Sequence, residues 1–285
     1  MTSKVWYITG CSTGIGASLV KLLLENGQKV AATSRNKQAL IDGIGAPAKT
    51  HSDSFLPLVV NLADETSIKN SVTETTNKFG TIDVLVNNAG CGLAGTLEEL
   101  PISDIKEHFE INFFASLYVY RAVAPVMRAK KSGLIMNVTS ILANVGLVSF
   151  GAYSATKAAL EMATESMDAE LKDFGIRVLT INPGSFKTDI ASPTKFKRAP
   201  NTIPDYEPLH KILASGKTIP PMNGDPDKLA KLLLKLSTVP AETLPQHMYI
   251  GVDSYNLAKQ KAEGWIKDLE TWKADSTSTN FDGVQ

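Results

Sequence analysis

Tyr153 and Lys157 stand four residues apart in Tyr153-Ser154-Ala155-Thr156-Lys157, and Ser140 lies upstream at the end of the apolar run Leu134–Val138. At the start of a predicted helix, that spacing puts the phenol and the ammonium on one face. A nearby ammonium favours the phenolate, so Lys157 is expected to draw Tyr153 down from its reference pKa near 10. The phenol could then act as a general acid or base near neutral pH. Ser140, at the carboxyl edge of a parallel sheet, could donate to a substrate oxygen and stabilise a developing alkoxide. Such a trio suits proton transfer at an oxygen whose carbon gains or loses hydride. Tyrosine and lysine also occur four apart on ordinary solvated helix faces, so the trio needs a second reactant and a scaffold.

The second reactant is suggested by Thr9-Gly10-Cys11-Ser12-Thr13-Gly14-Ile15-Gly16, which follows the first apolar strand and opens the first helix. Gly10 can take a tight turn, Gly14 lets the backbone approach a pyrophosphate, and Gly16 permits close packing of helix on strand. The helix start then meets the anion with free N–H groups and a favourable dipole. The second strand runs into Ala32-Thr33-Ser34-Arg35-Asn36 with no acidic residue. An acid there would grip a ribose 2′-hydroxyl, whereas Ser34 and Arg35 suit a 2′-phosphate. NADP(H) is therefore expected over NAD(H), the alternative being a solvated Arg35. A positively charged oxidised nicotinamide would push the Tyr153 pKa in the same direction as Lys157.

The elements that must position these groups alternate along the chain. Short β-branched runs are predicted at Val5–Thr9, Lys29–Thr33, Leu58–Leu62, Val84–Asn87, Leu134–Val138, Arg177–Asn182 and Met248–Val252. Helices are predicted at Ile15–Asn26, Lys37–Ile41, Asp64–Phe79, Pro101–Lys130, Ala152–Phe174 and Pro226–Leu236. The pattern implies an α/β fold, a doubly wound parallel sheet with helices on both faces.

These motifs resemble the short-chain dehydrogenase/reductases over roughly the first 250 residues. The resemblance rests on Thr9-Gly10-xxx-Gly14-Ile15-Gly16, Asn87-Asn88-Ala89-Gly90, Ser140, Tyr153-xxx-Lys157 and Pro183-Gly184, in the family's order. It implies a single Rossmann domain with a seven-stranded sheet in the order 3-2-1-4-5-6-7. It also implies a carbonyl reductase or alcohol dehydrogenase of the steroid- and retinol-dehydrogenase-like branch. By that resemblance Asn88, Ala89 and Gly90 lie against the adenine-side ribose, and Asn112 is the structural and proton-relay asparagine. Pro183, Gly184 and Thr188 orient the nicotinamide carboxamide, and Ser12, Thr13, Leu62 and Phe186 join the cofactor contacts. Asn61 stands where the family often has Asp, but its carbonyl can still accept from the adenine amine.

Residues 185 to 225 interrupt the rhythm with about 40 residues where a few are usual. The apolar anchors Phe186, Phe196, Ile203, Tyr206, Leu209, Ile212 and Met222 suggest a lid over a ligand site, the alternative being a helical insertion that merely covers core. Together with Leu142, Asn144 and Phe150 between Ser140 and Tyr153, this lid implies a medium-to-bulky apolar ketone, aldehyde or alcohol. Residues 1–253, with the lid, are expected to form the catalytic domain. Residues 254–285 would add a helical extension and a polar, frayed tail from Asp275.

Lys+Arg and Asp+Glu balance at 29 each, so no global field would hold nucleic acid or an anionic membrane. No stretch approaches the roughly 18 apolar residues of a spanning helix, and the first strand begins too early for a signal peptide, which implies a cytoplasmic protein. The four histidines lack ligand spacing, so no metal is expected. Cys11 and Cys91 both fall just past strand ends beside the cofactor groove, where small buried fillers are expected over a redox pair. The apolar faces of 101–130 and 152–174 suggest a homodimer or homotetramer. A nucleotide-binding sensor that has lost turnover is the competing class. The joint presence of Ser140, Asn112, Tyr153 and Lys157 counts against it, and the chain has no room for the larger substrate domain of sugar-nucleotide epimerases.

Overall fold

The computed structural model describes residues 2–192, 195–215 and 221–281. In chain order the elements are β1 (Val5–Ile8), α1 (Gly14–Glu25), β2 (Lys29–Ser34), α2 (Lys37–Ile44), α3 (Ala46–Thr50), β3 (Phe55–Val59), α4 (Glu65–Phe79), β4 (Val84–Asn87) and β5 (Gly92–Ala94). Then come α5 (Ile102–Phe109), a π-helical turn (Glu110–Phe114), α6 (Ala115–Lys130), β6 (Gly133–Val138), α7 (Gly151–Leu171) and β7 (Ile176–Pro183). The chain continues with β8 (Phe196–Arg198), α8 (Glu207–Ala214), α9 (Pro226–Leu236), β9 (His247–Ile250), α10 (Val252–Thr271) and α11 (Lys273–Thr277).

Seven strands form one parallel sheet in the order β3-β2-β1-β4-β6-β7-β9. Strand side chains alternate between faces, so Trp6 and Ile8 join one apolar layer with Leu19 and Leu23 of α1 and Leu229 and Leu233 of α9. Tyr7 points the other way, into a layer with Ile68 of α4, Val123 of α6 and Met167 of α7. Both faces of the sheet are thus covered, which is why its strands read as continuous apolar runs. Among the described residues no helix is long and apolar enough to cross a membrane.

Several boundaries differ from the sequence expectation. The third strand is Phe55–Val59 rather than Leu58–Leu62. Pro57 argues against a central strand, but β3 is at the sheet's edge, where a missing N–H costs little. The last strand stops at Ile250 instead of Val252, because α10 begins there. Strands β5 and β8, three residues each, form a separate parallel ribbon that carries too little periodicity to read from sequence. The expected fraying from Asp275 is replaced by a helical turn through Thr277, in which Ser276 N donates to Trp272 O at 2.9 Å. The tail from Asp282 onward lies outside the described residues, as do 193–194 and 216–220 of the expected lid.

Within 185–225 the structure has β8, a 3₁₀ turn at Pro204–Tyr206 and α8. Its two ends meet: Lys187 N donates to Gly224 O and Gly224 N to Ser185 O, both at 2.9 Å. Farther out, the Glu99 carboxylate receives Ile203 N at 2.8 Å and Thr96 Oγ1 at 2.9 Å, and lies 2.9 Å from His210 Nε2 of α8. These donors, Ile203 N foremost, hold the carboxyl down at about 2 despite the opposing cost of burial. Glu99 therefore ties the insertion to the body as a carboxylate.

Candidate active site

The glycine-rich turn after β1 has the geometry its sequence predicts. Gly10 has φ +71°, and a Cβ there would come within 2.8 Å of Ala89 Cα. A Cβ on Gly16 would lie 2.6 Å from Gly10 O and 2.7 Å from Asn88 Nδ2. Glycine at both positions lets α1 and β4 close on the turn. Asn88 fastens this closure by donating through Nδ2 to Thr9 O at 2.9 Å and Gly10 O at 3.1 Å, while Thr9 Oγ1 receives the backbone N–H groups of Asn88 and Ala89 at 3.0 Å each. No side chain caps Thr13 at the start of α1, so the first-turn donors there remain suited to an anion. Thr188 sits directly across, since a Cβ on Gly14 would be 3.3 Å from its side chain.

Ser12 backs against α2 near Gly43, and Ile15 packs on the core. Ser34 accepts from Asn36 N at 3.2 Å, and Arg35 is exposed at the end of β2. Asn61 Oδ1 is engaged by Ala63 N at 3.2 Å, which leaves one lone pair for a ligand, and Leu62 packs against the second core layer. Lys195 was not singled out from sequence. It bonds Thr13 Oγ1 and pairs with Asp189 at 2.9 Å, so a cation stands beside the turn. Only the fold brings it there, from the far end of a long insertion.

Ser140 follows β6 in extended conformation, with Oγ accepting from Leu142 N at 3.1 Å. Its hydroxyl hydrogen remains available, and Ser140 lies near enough to the half-buried Tyr153 hydroxyl to draw the phenol pKa downward. One turn along α7, the buried Lys157 donates to Val138 O at 3.0 Å and lies 5.9 Å from the centre of the Tyr153 ring. The expected depression of the Tyr153 pKa is not found: burial pushes it up to about 12, against the lowering by Ser140, with Cys91 adding to the rise. Lys157 is itself drawn down to about 8, chiefly by burial. Desolvation thus outweighs the mutual help that the four-residue spacing suggested.

Asn112 occupies the middle of the π-helical turn between α5 and α6, where the sequence had suggested one unbroken helix. Such a turn is a frequent accompaniment of functional sites. Wholly buried, Asn112 accepts from Cys91 N through Oδ1 at 2.9 Å. Its Nδ2 faces Cys91 O at 3.1 Å, Thr156 Oγ1 at 3.2 Å and His108 Nε2 at 3.0 Å. A Cβ on Gly90 would be 3.2 Å from Asn112 Oδ1 and 3.4 Å from Lys157 Nζ, so both groups flank the same bare backbone. His108, which sequence reasoning did not place in the site, completes the cluster. Its Nδ1 is 3.3 Å from Cys91 Sγ and its ring is 5.8 Å from that of Tyr153. Burial, then the nearby Lys157, lowers its pKa to about 4. The signal was present as a histidine one turn before Asn112, but a lone histidine carries no chemistry until its neighbours are known.

Leu142 and Phe150 are half-buried, and the Phe150 ring meets Phe196 of β8 edge-on at 6.3 Å. Two expected pocket residues are placed differently. The Asn144 amide donates to the buried Glu161 at 2.7 Å, which also receives Asn182 Nδ2 at 2.6 Å, so Asn144 braces the wall instead of presenting its polar end. The Phe186 ring is buried in the first core layer, hard against Gly224, and its apolar area is spent there. Pro183 ends β7, and beyond Gly184 the Asp253 carboxylate receives Ser185 N at 2.7 Å. Cys11 is fully buried and donates to Ile8 O at 3.1 Å, and burial raises the pKa of both thiols, as expected of fillers. Among the described residues no group of three or more His, Cys, Asp or Glu side chains could hold a metal.

Residues 4–199 match the family model described as short chain dehydrogenase. The chain belongs to the short-chain dehydrogenase family. The full-length resemblance extends to an oxidoreductase of Botryotinia fuckeliana, BOA17, which is 29% identical over 277 residues, 95% of this chain and 97% of that one. A short-chain dehydrogenase from Streptomyces avermitilis superposes with a TM-score of 0.87 at 29% identity, covering 98% of this chain and all (100%) of the other. A short chain dehydrogenase from Burkholderia cenocepacia, solved in complex with NADP, gives a TM-score of 0.73 at 25% identity over 94% of this chain and 97% of that one. The turn around Gly10, Gly14 and Gly16 follows β1, and Ser140 follows β6, so both stand at the carboxyl edge of the parallel sheet of this short-chain dehydrogenase, where ligand sites lie in open α/β sheets.

Proposed function

We propose that the protein is an NADP(H)-dependent oxidoreductase that interconverts a ketone or aldehyde and its alcohol, with Tyr153 as general acid and base. The observation that carries this reading is the convergence of Ser140, at the end of β6, with Tyr153 and, one helical turn along, the buried Lys157, whose ammonium donates to Val138 O and lies 5.9 Å from the Tyr153 ring. Ser140 would donate to the substrate oxygen, and Tyr153 would deliver its proton there as negative charge develops. The Lys157 ammonium would stabilise the phenolate left behind and hold the nicotinamide ribose, while Asn112 anchors the backbone of Cys91 beside it. The cofactor, when bound, exchanges hydride with the carbonyl carbon.

The residues present fit that cofactor. The bare turn at Gly10, Gly14 and Gly16 and the uncapped start of α1 suit a pyrophosphate. Arg35 and Ser34, with no carboxylate beside them, favour a 2′-phosphate, and the Burkholderia relative holds NADP. Leu142, Phe150 and Phe196 favour a medium-to-bulky apolar substrate beneath the 185–225 insertion, within a catalytic domain of residues 1–253. Cytoplasmic residence, and a homodimer or homotetramer formed through α5, α6 and α7, complete the reading.

The test is a panel of ketones, aldehydes and secondary alcohols followed by NADPH absorbance, repeated with NADH and with Tyr153→Phe. Turnover at higher kcat/KM with NADPH, reduced at least about 10³-fold by Tyr153→Phe with NADPH binding retained, is the expected outcome. Near-normal turnover in that variant would refute the assignment of Tyr153, and a preference for NADH would refute that of Arg35.

A further inference from the structure

Beyond Ala258 every residue of α10 is exposed, although the helix continues to Thr271. Its exposed side chains are not the polar set of a solvated helix: Tyr255 is 60% exposed, Trp265 51%, Ile266 62%, Leu269 69% and Trp272 63%. Tyr255, Ala258, Ala262, Trp265, Leu269 and Trp272 are spaced by three, four, three, four and three residues. That is the apolar seam of a coiled coil, and nothing within the chain's described residues covers it past the second turn.

From this spacing we infer that α10 pairs with α10 of a second copy of this chain, antiparallel about a two-fold axis. Side-chain size decides the direction. With Ala262 opposite Trp265 of the second copy, Ala258 falls opposite Leu269 and Tyr255 opposite Trp272, so small residues meet large ones in both central layers. A parallel pair would set Trp265 on Trp265 and Ala262 on Ala262, crowding one layer and emptying the next. Charge agrees. The antiparallel register brings Lys261 beside Asp268 of the second copy twice over by symmetry and places no like charges together along the seam. Lys261 now lies 5.2 Å over the Trp265 ring, within reach of that position.

The area is sufficient. Three aromatic side chains at about 150–250 Å² each, half to two-thirds exposed, with Leu269 and Ile266, give about 500 Å² per copy. The total of about 1,000 Å² is near the lower bound for a specific interface. The surface is separate from the α5, α6 and α7 faces and does not depend on the proposed enzymatic activity.

Sedimentation velocity of the full chain at about 50 µM tests the inference, with far-UV circular dichroism as a check on folding. Trp265→Asp/Leu269→Asp should halve the mass of the main species while leaving the fold intact, since the helix contributes only its first turns to the body. Lys261→Asp should weaken association about tenfold, and Lys261→Asp/Asp268→Lys should restore it. In a parallel pair Asp268→Lys would instead set a like charge against Lys273 of the second copy, and association would stay weak. A wild type whose mass is unchanged by both sets of variants overturns the proposal. So does a wild-type monomer whose seam binds vesicles of phosphatidylcholine and phosphatidylserine, and a double exchange that fails to restore association overturns the antiparallel register.

Discussion

His108 Nε2 accepts from Asn112 Nδ2 at 3.0 Å. The amide direction is fixed, because Asn112 Oδ1 is already accepting from Cys91 N, so the facing ring nitrogen carries no proton. The imidazole is therefore neutral, protonated at Nδ1 toward Cys91 Sγ, in keeping with its lowered pKa of about 4. As a positioning residue, His108 keeps the carbonyl end of Asn112 turned toward Gly90 and Lys157.

His108→Phe should lower kcat about tenfold, equal to about 1.4 kcal/mol of barrier, with KM for NADPH little changed. His108→Gln, which keeps an acceptor, should recover most of the loss. Equal losses in both variants would show that the ring merely fills space. Nitrogen-detected NMR should find the Nδ1–H tautomer unchanged from pH 8 down to about 5.

Burial lowers the Lys157 pKa to about 8, which makes two pH effects run in opposite directions. Below that value the ammonium supports the phenolate left by proton donation, so kcat/KM for carbonyl reduction should be level up to about pH 8 and fall above it. The unfolded chain keeps its lysine proton up to the ordinary value near 10.5, so over the same window it binds more protons than the folded one. The Lys157 contribution to stability must therefore rise between about pH 8 and 10.5 and vanish as pH falls through 8. Urea midpoints that hold or rise while activity declines, with a smaller rise in Lys157→Met, would separate the titration from unfolding.

The carboxylate of Glu99 fastens the insertion through Ile203 N and the neighbourhood of His210. Glu99→Ala should raise KM for an apolar carbonyl substrate about three- to tenfold, leave kcat within about twofold, and speed proteolysis between Ala199 and Ser215. An unchanged KM with faster cleavage would mean that the segment covers something other than the substrate.

The sheet and its order were legible because each strand is a short apolar run followed by a helix of clear period, and the turn after β1 because Gly10, Gly14 and Gly16 sit where strand becomes helix. Tyr153 and Lys157 were legible from their four-residue spacing and Ser140 from its place at the end of an apolar strand, with the glycine-rich turn and the other family motifs supporting all three. The expected direction of the Tyr153 pKa failed, because burial is a property of the finished fold while the four-residue spacing is visible in the chain. The same limit hid His108, Lys195 and Glu99, whose partners Cys91, Thr13 and Ile203 are brought to them by tertiary closure. Phe186 misled for the opposite reason. An aromatic ring beside a predicted pocket is equally suited to the core behind it, where Gly224 leaves room for it.

The insertion between β7 and α9 leaves and rejoins the body at one point, where Phe186 bridges Gly224. A segment that enters and leaves through one neck is a replaceable cassette, provided its side contacts with Glu99, Thr13 and β5 are kept. Its length and apolar content can change without altering the register of any strand in the main sheet or the spacing of Ser140, Tyr153 and Lys157. Exchange of residues 187–223 between relatives would then transfer appetite for one carbonyl compound or another while the proton-handling machinery stays in place.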